Sequence, residues 1–179
     1  LLEQIGQTLS FNVIPLNLLT TDAAGDPVSS TMIRQLVAEG DVAAAARALA
    51  RPHRVEGTVV SGDGRGATLG FPTANLSMTP FPAVPADGVY AGRIVIDPYG
   101  DAEVHSAAIS IGTNPTFEDV VDHRVEAWAY DGGALDLYDR PLAIDFAARI
   151  RDQVKFRSED ELAAAVAADA VAIRRILGE

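Results

Sequence analysis

The chain has 179 residues, 48% of them hydrophobic and 22% charged, which is the balance of a folded globular protein. Its formal net charge is -11, with 25 acidic against 14 basic residues, and this excludes a large nucleic-acid interface because such a surface needs a basic face. The absence of cysteine excludes disulfides and cysteine metal sites and fits a reducing cytosol. No apolar run reaches the roughly 18 residues of a membrane-spanning helix, so we expect no membrane partner and a cytoplasmic location.

The first fifty residues show the pattern of a short α/β segment. Leu1–Leu9 predicts the end of a helix, and Phe11–Leu16 predicts a short buried strand. Two further helices are predicted over Val28–Val37 and over Asp41–Leu49, with Asp41 as the N-terminal cap of the second. One strand cannot form a complete sheet domain, so we predict a domain boundary near residue 50.

From Arg51 onward the pattern changes to strands, separated by glycine, proline and aspartate. The predicted strands are Arg54–Val60, Gly88–Ile96, Val104–Ile111, Arg124–Tyr130 and Leu142–Phe146. Because no helical pattern separates them, they indicate an antiparallel sheet or a small closed barrel. At the end, Ser158 and Glu161 have the spacing of a capping box that opens a helix to about Leu177.

A glycine-rich segment lies between the first two predicted strands. Four glycines stand close together, at Gly62, Gly64, Gly66 and Gly70. Glycine allows positive φ angles and close approach of the backbone to a ligand, so the segment is a candidate phosphate-binding loop. It matches neither a Walker A loop nor a dinucleotide fingerprint, and a structural hairpin remains the alternative.

Thr73 and Asn75 follow this loop on an extended segment, where residues two apart point to the same side. A hydroxyl and an amide oxygen in this arrangement suit a hard cation that keeps several waters, so we predict a Mg²⁺ site that would serve nucleotide phosphates. The alternative is a turn in which both side chains bond only the local backbone.

Taken together, these segments resemble the riboflavin kinase family over residues 54 to 179. The resemblance is carried by Gly62–Asn75, Asp87–Gly92, Ser110–Phe117, Val125–Ala127 and Asp136–Tyr138. It implies a six-stranded antiparallel Greek-key barrel with a C-terminal helix, and ATP-dependent phosphorylation of riboflavin to FMN, with ADP as the second product.

The resemblance also implies roles for particular residues. Glu126 is the implied catalytic base for the ribityl hydroxyl. The resemblance places ATP beside Gly62, Thr68, Ala129, Asp131 and Tyr138. The glycine-rich loop, with Gly64, Gly66 and Gly70, is expected over the phosphates, and Thr73 and Asn75 are expected at the nucleotide and its Mg²⁺. Riboflavin is expected beside Arg151, Val154 and Phe156. Two positions depart from the family pattern, since Thr68 stands where some relatives have lysine and Asp139 where glycine is usual.

Residues 1–50 resemble the end of a second domain, the FMN adenylyltransferase domain of bacterial FAD synthetases. The resemblance rests on Ser29–Arg34, in which Met32 replaces the usual arginine, and the His-x-x-His type motif of that domain is absent. The chain begins with leucine, and we expect the adenylyltransferase region to precede it in a longer parent protein. Because no kinase motif falls in residues 1–50, we expect them to be dispensable for phosphorylation.

Two hypotheses follow. In the first, the chain is an active riboflavin kinase that acts on small-molecule substrates. In the second, it is a flavin- or nucleotide-binding barrel without turnover. The presence of Glu126, Thr73 and Asn75 favours the first.

Overall fold

The computed structural model describes residues 1–14, 20, 27–62, 71–78, 83–117, 120–130 and 135–179, and of residues 113–117 and 120–123 it describes the backbone alone. In chain order the elements within these ranges are α1 (Leu2–Leu9), α2 (Ser30–Ala38), α3 (Val42–Leu49), β1 (His53–Val60), β2 (Ala74–Met78), β3 (Gly88–Ile96), β4 (Glu103–Phe117), β5 (Val120–Ala129), β6 (Pro141–Arg151) and α4 (Glu159–Leu177).

The chain divides into two compact units, Leu1–Ser30 and Thr31–Glu179. In the first unit, α1 packs closely on the residues that follow it: a Cβ at Gly6 would lie 2.7 Å from the carbonyl oxygen of Phe11. The strand predicted from Phe11 is absent over Phe11–Ile14, because that segment packs beside the helix and pairs with no strand there. The rest of that prediction, residues 15 and 16, lies outside the described residues.

In the second unit the six strands close into an antiparallel barrel in the order β1-β2-β5-β4-β3-β6. This confirms the predicted fold class of a mainly β, six-stranded barrel with a C-terminal helix. The sequence pattern missed β2 as a strand and ended β4 and β6 too early. Strand pairing overrides the local glycine and proline signals, because β4 continues through Gly112 and Pro115 in register with β5.

The barrel interior is filled by β-branched and aromatic side chains. Tyr90 and Phe146 are fully buried and meet edge to face, with ring centroids 5.5 Å apart. Ile94, Ile109 and Ile144, on three different strands, are also fully buried. Every strand therefore contributes one face to a single core and leaves the other face on the outside of the barrel.

Helix α3 belongs to the same core. Val42 and Ala45 are fully buried, and Val42 lies within the main hydrophobic cluster. The predicted cap is confirmed, since Asp41 Oδ1 accepts a hydrogen bond of 2.9 Å from the backbone N–H of Ala44. Before it, Gly40 has a φ of +81°, and a Cβ there would lie 2.8 Å from the hydroxyl of Tyr90. The unit that contains the barrel thus begins at Thr31, and a domain boundary near residue 50 stays a prediction.

The C-terminal helix α4 begins after Ser158, whose hydroxyl accepts a hydrogen bond of 3.2 Å from the backbone N–H of Glu161. This is one half of the predicted capping box. The Glu161 carboxylate instead accepts from the backbone N–H of Arg157, at 2.9 Å. Among the described residues, no helix combines the length and apolar character needed to cross a membrane.

These packing relations give a truncation prediction. We expect a chain starting at Thr31 to keep the barrel folded, whereas a chain starting at Arg51 should be less stable because it loses the buried side chains of Val37 and Val42. Burying one valine contributes about 1.5–3 kcal/mol, so the two are worth about 3–6 kcal/mol of a total of about 5–15 kcal/mol. Urea unfolding of the two truncated chains measures the difference. Equal unfolding free energies would show that residues 31–50 add nothing to the stability of the barrel; whether they are dispensable for phosphorylation is a separate prediction, tested by the kinase activity of the chain that starts at Arg51.

Candidate active site

Three polar residues lie side by side on neighbouring strands. The register pairs Asn75 of β2 with Glu126 of β5, and Glu126 with Ser110 of β4. Leu76 follows Asn75 and Val125 precedes Glu126 in the chain, and both are buried in the barrel interior. Because side chains alternate between the two faces of a strand, the three polar side chains lie on the outside of the barrel. We call Asn75, Glu126 and Ser110 the outer row.

The register extends this row around the barrel in both directions. Val60 of β1 stands opposite Asn75. On the other side, Ser110 stands opposite Val89 of β3, and Val89 stands opposite Arg151 at the end of β6. This path across neighbouring strands runs from Asn75, which is expected to contact ATP, to Arg151, which is expected to contact riboflavin. Glu126, the expected catalytic base, lies between them.

Glu126 is accessible from outside. Its side chain is 30% exposed, and its Oε1 lies 3.7 Å from Nη1 of Arg124. An ion pair of this length at a partly exposed site contributes little to stability. The carboxylate is therefore partly open to solvent on the outer wall of the barrel.

Asn75 is held more tightly, with only 9% of its surface exposed. The reason lies at Gly62, the first glycine of the predicted phosphate loop. A Cβ at Gly62 would fall 2.0 Å from Nδ2, 2.5 Å from Cγ and 2.9 Å from Oδ1 of Asn75. Glycine at this position thus leaves the space that the amide of Asn75 occupies, which links two residues that the sequence pattern placed in one site.

A cavity of about 130 Å³ adjoins the start of β2. Its lining contains Val59, Pro72, Thr73, Ala74, Ala127, Ala129, Leu135, Leu137 and Tyr138. Three of the residues expected to contact ATP, namely Thr73, Ala129 and Tyr138, are thus brought to one cavity. Small alanine side chains line the barrel side, and leucines line the side of the segment that precedes β6, so the walls suit a flat apolar group.

Next to this cavity the chain adopts an unusual backbone conformation. Asp139 has a φ of +59°, in the left-handed region where glycine is favoured and aspartate is among the tolerated residues. Its N–H donates to the carbonyl oxygen of Val59 at 3.0 Å, which fixes the segment against β1. Asp139 therefore adopts a backbone conformation that glycine at this position would favour.

The residues expected to contact riboflavin follow β6. Arg151 makes two hydrogen bonds to Asp169 of α4, from Nε to Oδ1 at 3.0 Å and from Nη2 to Oδ2 at 2.7 Å. Its guanidinium carbon lies 5.7 Å from the ring centroid of Phe156. Val154 is 54% exposed. Arg151 thus ties the segment before α4 to the helix, and direct contact of Arg151, Val154 or Phe156 with riboflavin stays a prediction.

Other predicted site residues lie outside the described residues. These are Gly64, Gly66, Thr68, Gly70 and Asp131. Their proposed contacts with ATP stay predictions.

Sequence reasoning did not identify Gln153, Ser110 and Asp169 as site residues. Gln153 Nε2 donates to Ser110 Oγ at 2.8 Å and to the carbonyl oxygen of Ile111 at 3.0 Å. Asp169 is 6% exposed and pairs with Arg151. The sequence signal for the contact of Arg151 with Asp169 is an aspartate in the middle of an alanine-rich helix. The contact of Gln153 with Ser110 joins positions 43 apart and has no local pattern.

The fold and the row together define a class: a closed six-stranded barrel with a polar row on its outer wall and a small cavity, lined mainly by apolar side chains, at the start of β2. Comparison with known proteins gives the family. The family model described as "Flavokinase: Riboflavin kinase" matches residues 49–177. The chain belongs to the riboflavin kinase family, and this stretch is its kinase domain.

Individual relatives agree with this assignment. The bifunctional riboflavin kinase/FMN adenylyltransferase of Escherichia coli K12 is 34% identical over 99% of this chain and 54% of its own length. The protein of the same name from Listeria monocytogenes is 35% identical over 82% of this chain and 45% of its own length. The chain therefore spans about half the length of the curated relatives it matches.

Solved structures are also similar. A Streptococcus pneumoniae protein titled macrolide-efflux protein has a TM-score of 0.84 at 32% identity. The match covers 96% of this chain and 54% of the Streptococcus chain. The riboflavin kinase of Trypanosoma brucei has a TM-score of 0.53 at 24% identity, over 70% of this chain and 80% of its own. The second likeness concerns the fold alone.

Proposed function

We propose that this domain transfers the terminal phosphate of ATP to the 5'-hydroxyl of riboflavin, giving FMN and ADP. The observation that carries the proposal is the outer row, in which Glu126 stands directly opposite Asn75, two residues after Thr73 of the cavity lining. Family membership gives the class of reaction, and the row supplies a base and a polar side chain for the donor on adjacent strands.

Glu126 is proposed as the base. In phosphoryl transfer the protein mainly positions the substrates and stabilises charge, and a carboxylate near the attacking hydroxyl accepts its proton as the bond to phosphorus forms. Glu126 is accessible and is bordered by Arg124, which keeps a positive charge 3.7 Å from Oε1. The proton moves from the ribityl oxygen to the Glu126 carboxylate, and the terminal phosphoryl group of ATP bonds to that oxygen as its bond to ADP breaks.

Mg²⁺ is proposed to bind at Thr73 and Asn75. Magnesium usually keeps several waters and uses few protein ligands in addition to substrate phosphates, and oxygens are the donors it prefers. A site of two protein oxygens completed by substrate phosphates fits this preference. The close packing of Asn75 on Gly62 supports an orientated amide. The ion, when bound, neutralises phosphate charge.

The remaining parts of the proposal concern the glycine-rich loop, an N-terminal region and the cellular location. The loop over Gly62–Gly70 is proposed to cover the phosphates. The parent protein is proposed to carry an N-terminal region that adenylylates FMN to FAD, since the relatives named above are bifunctional and about twice as long as the matched part. A cytoplasmic location stays a prediction.

Production of FMN from riboflavin and MgATP tests the proposal. We expect purified protein to form FMN and ADP in equal amounts, measured by chromatography with flavin fluorescence for FMN and ultraviolet absorbance for ADP. The rival hypothesis, a binding barrel without turnover, predicts that riboflavin or ADP binds by calorimetry while no FMN appears.

A further inference from the structure

We propose that Ser110, held by Gln153, is a specificity residue that binds an interior hydroxyl of the ribityl chain. The inference rests on the proposed function, since it names the part of riboflavin that this stretch of the outer row recognises. It starts from the contact between Gln153 and Ser110, which the base and cation roles leave unexplained.

The direction of this hydrogen bond is fixed by the backbone. Gln153 Nε2 donates to the carbonyl oxygen of Ile111 at 3.0 Å and reaches that of Gly88 at 3.5 Å. Carbonyl oxygens only accept, so the NH₂ end of the amide, rather than its oxygen, faces β4. The same nitrogen lies 2.8 Å from Ser110 Oγ, which therefore acts as the acceptor. A hydroxyl that accepts in this way keeps its own proton to donate.

The position of Ser110 suits a ligand on the outer wall. Ser110 stands opposite Glu126 on one side and, across Val89, two strands from Arg151 on the other. Neighbouring strands are about 4.8 Å apart, so Ser110 lies about 5 Å from the proposed base and about 10 Å from the end of β6, where the flavin ring is expected. A sugar-alcohol chain that joins a reacting hydroxyl to a ring has to cross this interval.

The chemistry at that interval is also appropriate. Ser110 is half-buried and Gln153 is exposed, so the pair faces solvent and is accessible to a ligand. Val89, the next residue of the row, is 6% exposed and offers no polar group. Between Glu126 and Arg151, the Ser110 hydroxyl is thus the polar group of the row that can bind a hydroxyl of the substrate. A substrate without interior hydroxyls would gain no binding energy from Ser110.

The test combines a protein variant with changes in the substrate. Ser110→Ala should lower kcat/KM for riboflavin about threefold to tenfold, the effect of one hydrogen bond, mainly through KM and without changing KM for ATP. Riboflavin analogues that each lack one interior ribityl hydroxyl should then be assayed with wild type and variant. For one analogue the penalty of Ser110→Ala should disappear, because that analogue has already lost the partner of the serine.

Controls separate this result from general damage. Ser106→Ala removes a hydroxyl from the same face of the same strand, where it donates to Glu179 away from the row, and should leave kcat/KM per folded molecule unchanged. Gln153→Met keeps the length of the side chain but cannot orient the serine, and should give part of the Ser110→Ala penalty. If the penalty of Ser110→Ala is the same with every analogue, or if there is none with riboflavin, the assignment of Ser110 is wrong. A wild-type protein that forms no FMN would instead refute the proposed function.

Discussion

Glu126→Gln is expected to fold normally, to bind ADP and riboflavin, and to lose about 10²- to 10⁴-fold in kcat, the usual range for a general base. The amide keeps the shape of the carboxylate but does not accept a proton at neutral pH. Its ion pair with Arg124 is 3.7 Å long and both side chains are about one-third exposed, so the change should cost little stability. Steady-state kinetics, with calorimetry for the two ligands, measures the split between turnover and binding.

Glu103→Gln is a matched control. Glu103 also lies on a strand of the barrel, is 55% exposed, and bonds to His105 away from the outer row. Its kinetics should equal those of wild type. If Glu126→Gln turned over at the wild-type rate per folded molecule, Glu126 would be an ordinary surface glutamate and the base would have to be sought elsewhere.

The sequence predicts much of the barrel because β-branched and aromatic residues are concentrated in its strands and are bounded by glycine, proline and aspartate. The prediction for Gly88–Ile96 has the bounds of the strand in the structure, although that strand is buried on both faces, and the predicted cap at Asp41 is confirmed. Strand β2 was missed because its five residues follow a glycine- and proline-rich stretch, and its identity as a strand depends on pairing with β1 and β5. Such pairing is not encoded in a local period.

The candidate site divides in the same way. Thr73, Asn75 and Glu126 could be proposed from residue type and resemblance, since each carries its chemistry in its own side chain. That Asn75 and Glu126 face each other follows only from the strand order, which joins β2 to β5. The hydrogen bond of Gln153 to Ser110 and the pairing of Arg151 with Asp169 depend on how the end of β6 meets β4 and α4, and no spacing in the sequence indicates either contact.

Gly62→Ala is expected to impair Mg²⁺-dependent use of ATP as strongly as Asn75→Ala, although it adds a single methyl group. That methyl would lie 2.0 Å from Nδ2 and 2.5 Å from Cγ of Asn75, so the amide has to leave its place. If the amide oxygen binds Mg²⁺, both variants should raise the magnesium concentration for half-maximal rate by about 10- to 100-fold, the range found when even indirect metal contacts are lost. Initial rates across a magnesium series measure this shift.

A double variant and a control substitution at a second glycine show whether Gly62→Ala changes the magnesium dependence by displacing the Asn75 amide. Because Asn75→Ala removes the atoms that the new methyl would strike, the double variant Gly62→Ala/Asn75→Ala should be no worse than Asn75→Ala alone, a clear departure from additivity. Gly100→Ala is the control, since a Cβ there would meet nothing within 4 Å. Additive losses in the double variant would show that Gly62 acts through the loop that follows it rather than through Asn75. An unchanged magnesium dependence in Asn75→Ala would show that the segment from Thr73 to Asn75 has a structural role and does not bind Mg²⁺.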